Sequence, residues 1–260
     1  MRRLLAACAI ALGAAGVQAG PPPPKVALLI GNAAYADAPL RNPLNDVREV
    51  AAQLRRLGFA VTTHENLRQG EMRDALRRFV LEHREAQLRL VYYAGHGLQL
   101  RGRSYLLPVG VRIASESDVL ERTADATELA EALGQIEHGA NIVVIDACRV
   151  HPMFAGGTRR MWAVKPGLSR LPAPTGTLVA FSTRPGHVAR DGEGSLGVYA
   201  RHFTQALKDA PELPVEAFFK RVRSAVASET RRQQVPWESS DLDGELCFRP
   251  EASGRCAGGR

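Results

Sequence analysis

The chain has 260 residues and 45% apolar side chains, enough to bury one sizeable core, which excludes disorder as its default state. Its formal charge of +7 comes from arginines scattered over many segments, and only 6% of residues are aromatic, so it lacks the basic, aromatic-interleaved stretch of a single-strand nucleic acid binder. No nucleic acid partner is expected, while contact with anionic surfaces stays open as a reading of the charge.

Residues 1–19 carry two arginines, an apolar run from Leu4 to Val17, and small residues at Val17 and Ala19, the pattern of a secretory signal peptide. The run falls short of the roughly 20 apolar residues a permanent span needs. No membrane span is therefore expected after removal of the leader, and the chain is expected to be exported, either periplasmic or secreted. Residues 20–24, with Pro21 to Pro24, form a stiff spacer. Loss of Cys8 with the leader leaves Cys148, Cys247 and Cys256. In an oxidising compartment Cys247 and Cys256 can close a short C-terminal loop, which leaves Cys148 either a reactive thiol or a small core residue.

Strand and helix patterns alternate over residues 25–249, as in a parallel sheet with helices on both faces; residues 250–260 read as a tail. "KVALLIG" (25–31) is a buried strand. Asn42-Pro43 opens a helix with Val47, Val50, Ala51, Leu54 and Leu57 on one stripe, ended by Gly58. "FAVTTHENL" (59–67) is a second strand, and Met72, Ala75, Leu76, Phe79 and Val80 mark the next helix. "LRLVYYAG" (88–95) is a third strand, followed by a hairpin over 98–108 that turns at Arg101-Gly102. A helix is predicted over 128–136, strands over 141–147 and 176–183, helices over 197–209 and 215–232, and a last strand at "GELCF" (244–248). Residues 149–175 and 184–197 fit no element, and both follow the C-terminal ends of strands, where open α/β sheets place ligands.

The third strand ends in Tyr93-Ala94-Gly95-His96-Gly97 and the fourth in Asp146-Ala147-Cys148-Arg149. If these strands are parallel neighbours, both tips emerge at one sheet edge and His96 meets Cys148. A thiol near its free pKa of about 8.5 is mostly protonated at neutral pH, so a nearby imidazole can activate it and later protonate a leaving amine. The amides of Gly97 and Cys148 can face a developing oxyanion. His64, His83, His138, His151, His187 and His202 lack such a setting.

"YYAGHG" and "DACR" resemble the catalytic strands of the caspase-like cysteine peptidases. "LLIGNAAYADAPLRNPLNDV", "GRSYLLP", "GTLVAFSTRPGHVARDGEG" and "QQVPWESSDLDGELCF" resemble segments of their bacterial metacaspase-like branch, the orthocaspases. The resemblance covers residues 25–249 and implies an α/β caspase-like fold, with a mostly parallel central sheet between helices. It implies a cysteine endopeptidase cutting after Arg or Lys, with Cys148 as nucleophile and His96 as general acid and base. Its protein or peptide substrate is held by Asp46 and Asp146 in the pocket before the scissile bond. Physical chemistry agrees, since two converging carboxylates repel unless a cation enters, and a guanidinium can bond both. Asp46 in a first helical turn can equally serve the helix dipole, and Asp146 can pair with an arginine.

In relatives the segment after the fifth strand adds to the substrate backbone, which makes Val188, Ala189 and Arg190 candidates, with Asp191 or Glu193 adding negative potential. The loop after Cys148 offers Arg160 and Lys165 as self-cleavage positions. No cofactor is required; calcium activation is left open without a clear site, because residues 97–110 contain no carboxylate. Gly110 stands where the family pattern has an acid, and Val150-His151 where it has a polar pair. A caspase-like binding module without turnover is the alternative reading. The oligomeric state is not legible.

Overall fold

The computed structural model describes residues 25–147, 168–184 and 194–258, and residues 148–149 and 164–165 by their backbone. Strand β1 (Lys25–Gly31) leads to helix α1 (Pro43–Arg56), strand β2 (Ala60–Glu65) and helix α2 (Gln69–Glu82). Strand β3 (Leu88–Leu100) turns into β4 (Arg103–Leu106), and α3 (Glu116–Arg122), β5 (Ala124–Asp125) and α4 (Ala126–Gly134) follow. Next come β6 (Ala140–Arg149), β7 (Val164–Lys165), β8 (Thr177–Phe181), α5 (Val198–Asp209), α6 (Val215–Glu229) and β9 (Trp237–Ser240).

The main sheet runs β2-β1-β3-β6-β8-β9, parallel except for β9 against β8. Near-continuous apolar runs in β1, β3, β6 and β8 make the centre of this layer, because both faces of these strands are covered and alternate side chains go to opposite cores. Leu29, Leu90, Tyr92, Val144 and Ala180 pack under α1, α5 and α6. Leu28, Val91, Tyr93, Val143, Ile145 and Val179 pack against Met72, Leu76 and Phe79 of α2 and Leu129 and Leu133 of α4. A third cluster, with Tyr35, Leu98, Leu100, Tyr105 and Leu107, lies under the β3–β4 hairpin.

Several predicted bounds shift. The third strand and the first arm of the hairpin are one continuous 13-residue strand. Helix α4 begins at Ala126 because the Asp125 carboxylate accepts the N–H groups of Thr127 and Glu128. Helix α6 ends at Glu229; Arg231 and Arg232, at φ of 48° and 62°, have left the helical path. The strand predicted over 244–248 does not form. The last strand is Trp237–Ser240, whose Trp237 packs on Phe181, and 244–248 instead runs as irregular chain with Phe248 in the core. Cys247 and Cys256 are joined in a disulfide, and Ala257 N–H donates to Glu212 O, so residues 250–258 fold back onto the domain.

Candidate active site

Both strand tips reach the same edge, in the alignment that parallel pairing dictates. In the β3–β6 register Ala94 lies opposite Asp146, Gly95 opposite Ala147, and His96 opposite Cys148. Residues 52 positions apart in sequence thus become lateral neighbours.

His96 is 3% exposed and held on every side. Its Nε2 bonds Ala38 O at 2.7 Å. A carbonyl only accepts, so Nε2 carries the proton and Nδ1 is the basic nitrogen of the neutral ring. Its backbone N–H donates to Tyr35 Oη at 3.1 Å, and Tyr93 Oη–H donates to its carbonyl at 2.6 Å. The Tyr35 ring lies 4.4 Å from the imidazole. Gly97 faces β4 at Leu106 and β6 at Arg149; a Cβ there would come within 2.9 Å of Leu168 Cδ2 and 3.2 Å of Ala147 Cβ.

The two acids are placed by different elements. Asp46, on the first turn of α1, is 4% exposed, and its Oδ1 accepts the N–H of Gly197, the N-cap of α5, at 2.8 Å. It thus serves two helix N-termini, whose partial positive charge favours a carboxylate. Asp146 is half-buried, and Tyr92 Oη–H donates to its Oδ2 at 3.0 Å. Burial pushes the Tyr92 phenol well above its ordinary range, with Asp146 and then Asp46 adding to the shift. Both carboxylates therefore bear on one buried hydroxyl. Sequence reasoning missed Tyr92; the signal available was its place two residues before Ala94, on the pleat that also leads to His96.

Lys165 lies in β7, paired with Gln99 of β3, and is followed in sequence by Pro166. Arg160, Val188, Ala189, Arg190, Asp191 and Glu193 lie outside the described residues. So do residues 1–24, the predicted signal peptide and Pro-rich spacer. Among the described residues no three His, Cys, Asp or Glu side chains gather as metal ligands would, and no helix is long and apolar enough to cross a membrane. Of the other histidines described, His83 packs on Phe79 and His202 pairs with Glu229.

Residues 24–247 match the family model described as Caspase domain. The chain belongs to the caspase-like cysteine peptidase family. It is also similar to human mucosa-associated lymphoid tissue lymphoma translocation protein 1, at 37% identity over 126 residues, which are 48% of this chain and 15% of that protein. The mouse homologue is 36% identical over 126 residues, with the same shares of each chain. The matched segment thus spans well under two thirds of these curated relatives, and the family membership rests on the domain match. A mostly parallel sheet between helices is the fold that this membership entails.

Proposed function

We propose that the protein is an exported cysteine endopeptidase of the metacaspase-like branch that cuts on the carboxyl side of Arg or Lys. The observation that carries the reading is the register of His96 with Cys148, together with the Nε2–Ala38 bond that leaves Nδ1 as the base. His96 takes the Cys148 proton and the thiolate attacks the scissile carbonyl carbon. The oxyanion is stabilised by the amides of Gly97 and Cys148. The imidazolium then protonates the leaving amine, and water, deprotonated by His96, releases the acid from the thioester. Asp46 and Asp146 neutralise the basic side chain before the cut. The reading uses no metal or cofactor.

Export is supported by the leader pattern and by the Cys247–Cys256 disulfide, a bond that persists in oxidising compartments. In the self-cleavage part of the proposal Arg160 is preferred to Lys165. The backbone of Lys165 is engaged with β3, and the bond after it leads into proline.

Hydrolysis of fluorogenic peptides ending in Arg, Lys, Asp or Ala, measured under reducing conditions, tests the reading. Turnover is expected for the Arg and Lys peptides alone. It should vanish in Cys148→Ala and fall about 100-fold or more in Asp146→Ala, as loss of a charge-assisted contact predicts. A folded parent protein with a free thiol that cleaves none of the four is a binding module instead.

A further inference from the structure

Tyr199 is the second residue of α5, two positions after the glycine that holds Asp46. It is 1% exposed and its ring stacks on Phe203 at 6.0 Å, yet its hydroxyl has no hydrogen-bond partner among the described residues. A buried hydroxyl left unpaired carries a desolvation penalty that phenylalanine, filling the same apolar space, would not. No contact among the described residues explains the oxygen.

Its surroundings point to an occupant. Across the sheet Tyr92 lies opposite Val144, Val144 opposite Ala180, and Ala180 opposite Glu238. Tyr199 and Phe203 of α5 share a core with the first three of this row. Burial pushes the Tyr199 phenol up, and the carboxylates of Asp146 and Glu238 add to that shift. Tyr92, whose hydroxyl touches Asp146, responds to Tyr199 as well as to both aspartates. Geometry agrees: Phe203, on which Tyr199 stacks, has its ring 5.8 Å from that of Tyr92, and Gly197, two residues before Tyr199, bonds Asp46, so the hydroxyl lies on the α5 side of the two acids.

We propose that Tyr199 determines specificity: its hydroxyl oxygen accepts an N–H of a guanidinium seated between Asp46 and Asp146, and so favours Arg over Lys before the scissile bond. This rests on the reading of those two aspartates as a cation pocket. A guanidinium presents five N–H donors in a broad plane, more than two partly engaged carboxylates take up, and it reaches a third acceptor at the pocket wall. An ammonium is compact, has three donors, and is satisfied by the carboxylates alone.

The test compares peptides identical except for Arg or Lys before the cut, with the parent enzyme, Tyr199→Phe and Asp146→Ala, alongside thermal unfolding. In Tyr199→Phe, kcat/KM for the Arg peptide should fall about ten- to hundred-fold, as for loss of a hydrogen bond to a charged group, with less than about a twofold change for Lys. Its Tm should be unchanged or raised, since the unpaired oxygen is gone. An unmoved Arg-to-Lys ratio, or an equal loss for both peptides, overturns the role of Tyr199. If Asp146→Ala still lowers both in that case, the aspartate pocket survives. A parent enzyme that cleaves neither basic peptide overturns the pocket and Tyr199 together.

Discussion

Gly95 shows how little freedom surrounds the candidate base. A methyl group there would fall 2.6 Å from Tyr93 Oη and 2.8 Å from Tyr35 Oη, the two phenols that hold the backbone of His96. Those hydroxyls are buried within one network, with a 3.1 Å contact between them, and neither is the loose end of a surface chain. Gly95→Ala is therefore expected to lower stability by about 1–3 kcal/mol through overpacking. It should reduce kcat more than a loss of folded protein explains, since an imidazole displaced by an ångström is misaligned. Denaturant unfolding read beside peptide hydrolysis separates the two effects. At this scale His96, Cys148 and Asp146 were legible because each sits at an abrupt polar end of an apolar strand. Tyr92 and Tyr199 were not, because a tyrosine in an apolar run looks like core until its hydroxyl is located, against a carboxylate for Tyr92 and buried without a partner among the described residues for Tyr199.

Among the elements, β3 carries the most: it pairs with β1 and β6, extends into the hairpin, and bears the His96 tip. Its base is fixed by Arg89, a fully buried guanidinium. Arg89 donates to His83 O at 2.7 Å, to His138 O at 2.8 Å, to Asn141 Oδ1 at 3.2 Å, and also to Arg84 O. One side chain thereby closes the C-terminal end of α2 and the turn before β6. Arg89→Met keeps the apolar stem but strands these acceptors. The expected loss is about 3–5 kcal/mol, the scale seen when one member of a buried charged network is removed. Urea unfolding measures it, and Arg89→Lys should recover only part, because an ammonium lacks the planar reach to both sides. The misplaced last strand has a physical cause at the same scale. "GELCF" has strand composition, but its Cys247 is tied to Cys256 and Lys25 Nζ donates to Phe248 O at 3.1 Å, so other contacts engage that segment. The 237–240 segment has three polar residues in four, and pairing with β8 rather than its own hydrophobicity makes it a strand.

For the whole molecule, ion pairs tie the helices of one face together. Lys208 of α5 meets Glu49 of α1 at 2.9 Å, and Arg201 and His202 of α5 both bond Glu229 of α6. The Arg201 guanidinium, with His202 behind it, holds the Glu229 carboxyl down from an ordinary 4.5 to about 2. A carboxyl depressed by folding contributes stability that is present above its unfolded value and lost as pH falls through its folded one. Stability from this pair is thus expected to be full above about pH 4.5 and to decline toward pH 2. Glu229→Gln should flatten that part of the acid limb in urea titrations, by a modest amount because the pair is partly exposed and screened. The disulfide acts at this scale too. It holds the fold-back of 250–258 against the domain, with Ala257 N–H bonded to Glu212 O.

The order of the main strands and helices from β1 to α6, without α3, β5 and β7, the two buried faces, and the identity of the two tip residues followed from the sequence alone. Hydrophobic period and breaker residues are local signals, and a parallel sheet leaves few ways to arrange its tips. Tertiary structure decided what depends on distant partners: that Asp46 bonds the N-terminus of α5, 151 positions away, and that Arg89 joins two turns. It also decided that the last strand is made by its neighbour and that a tyrosine of α5 is buried in the same core as Tyr92. Buried polar groups are set by what surrounds them, and one segment read alone carries no record of its surroundings.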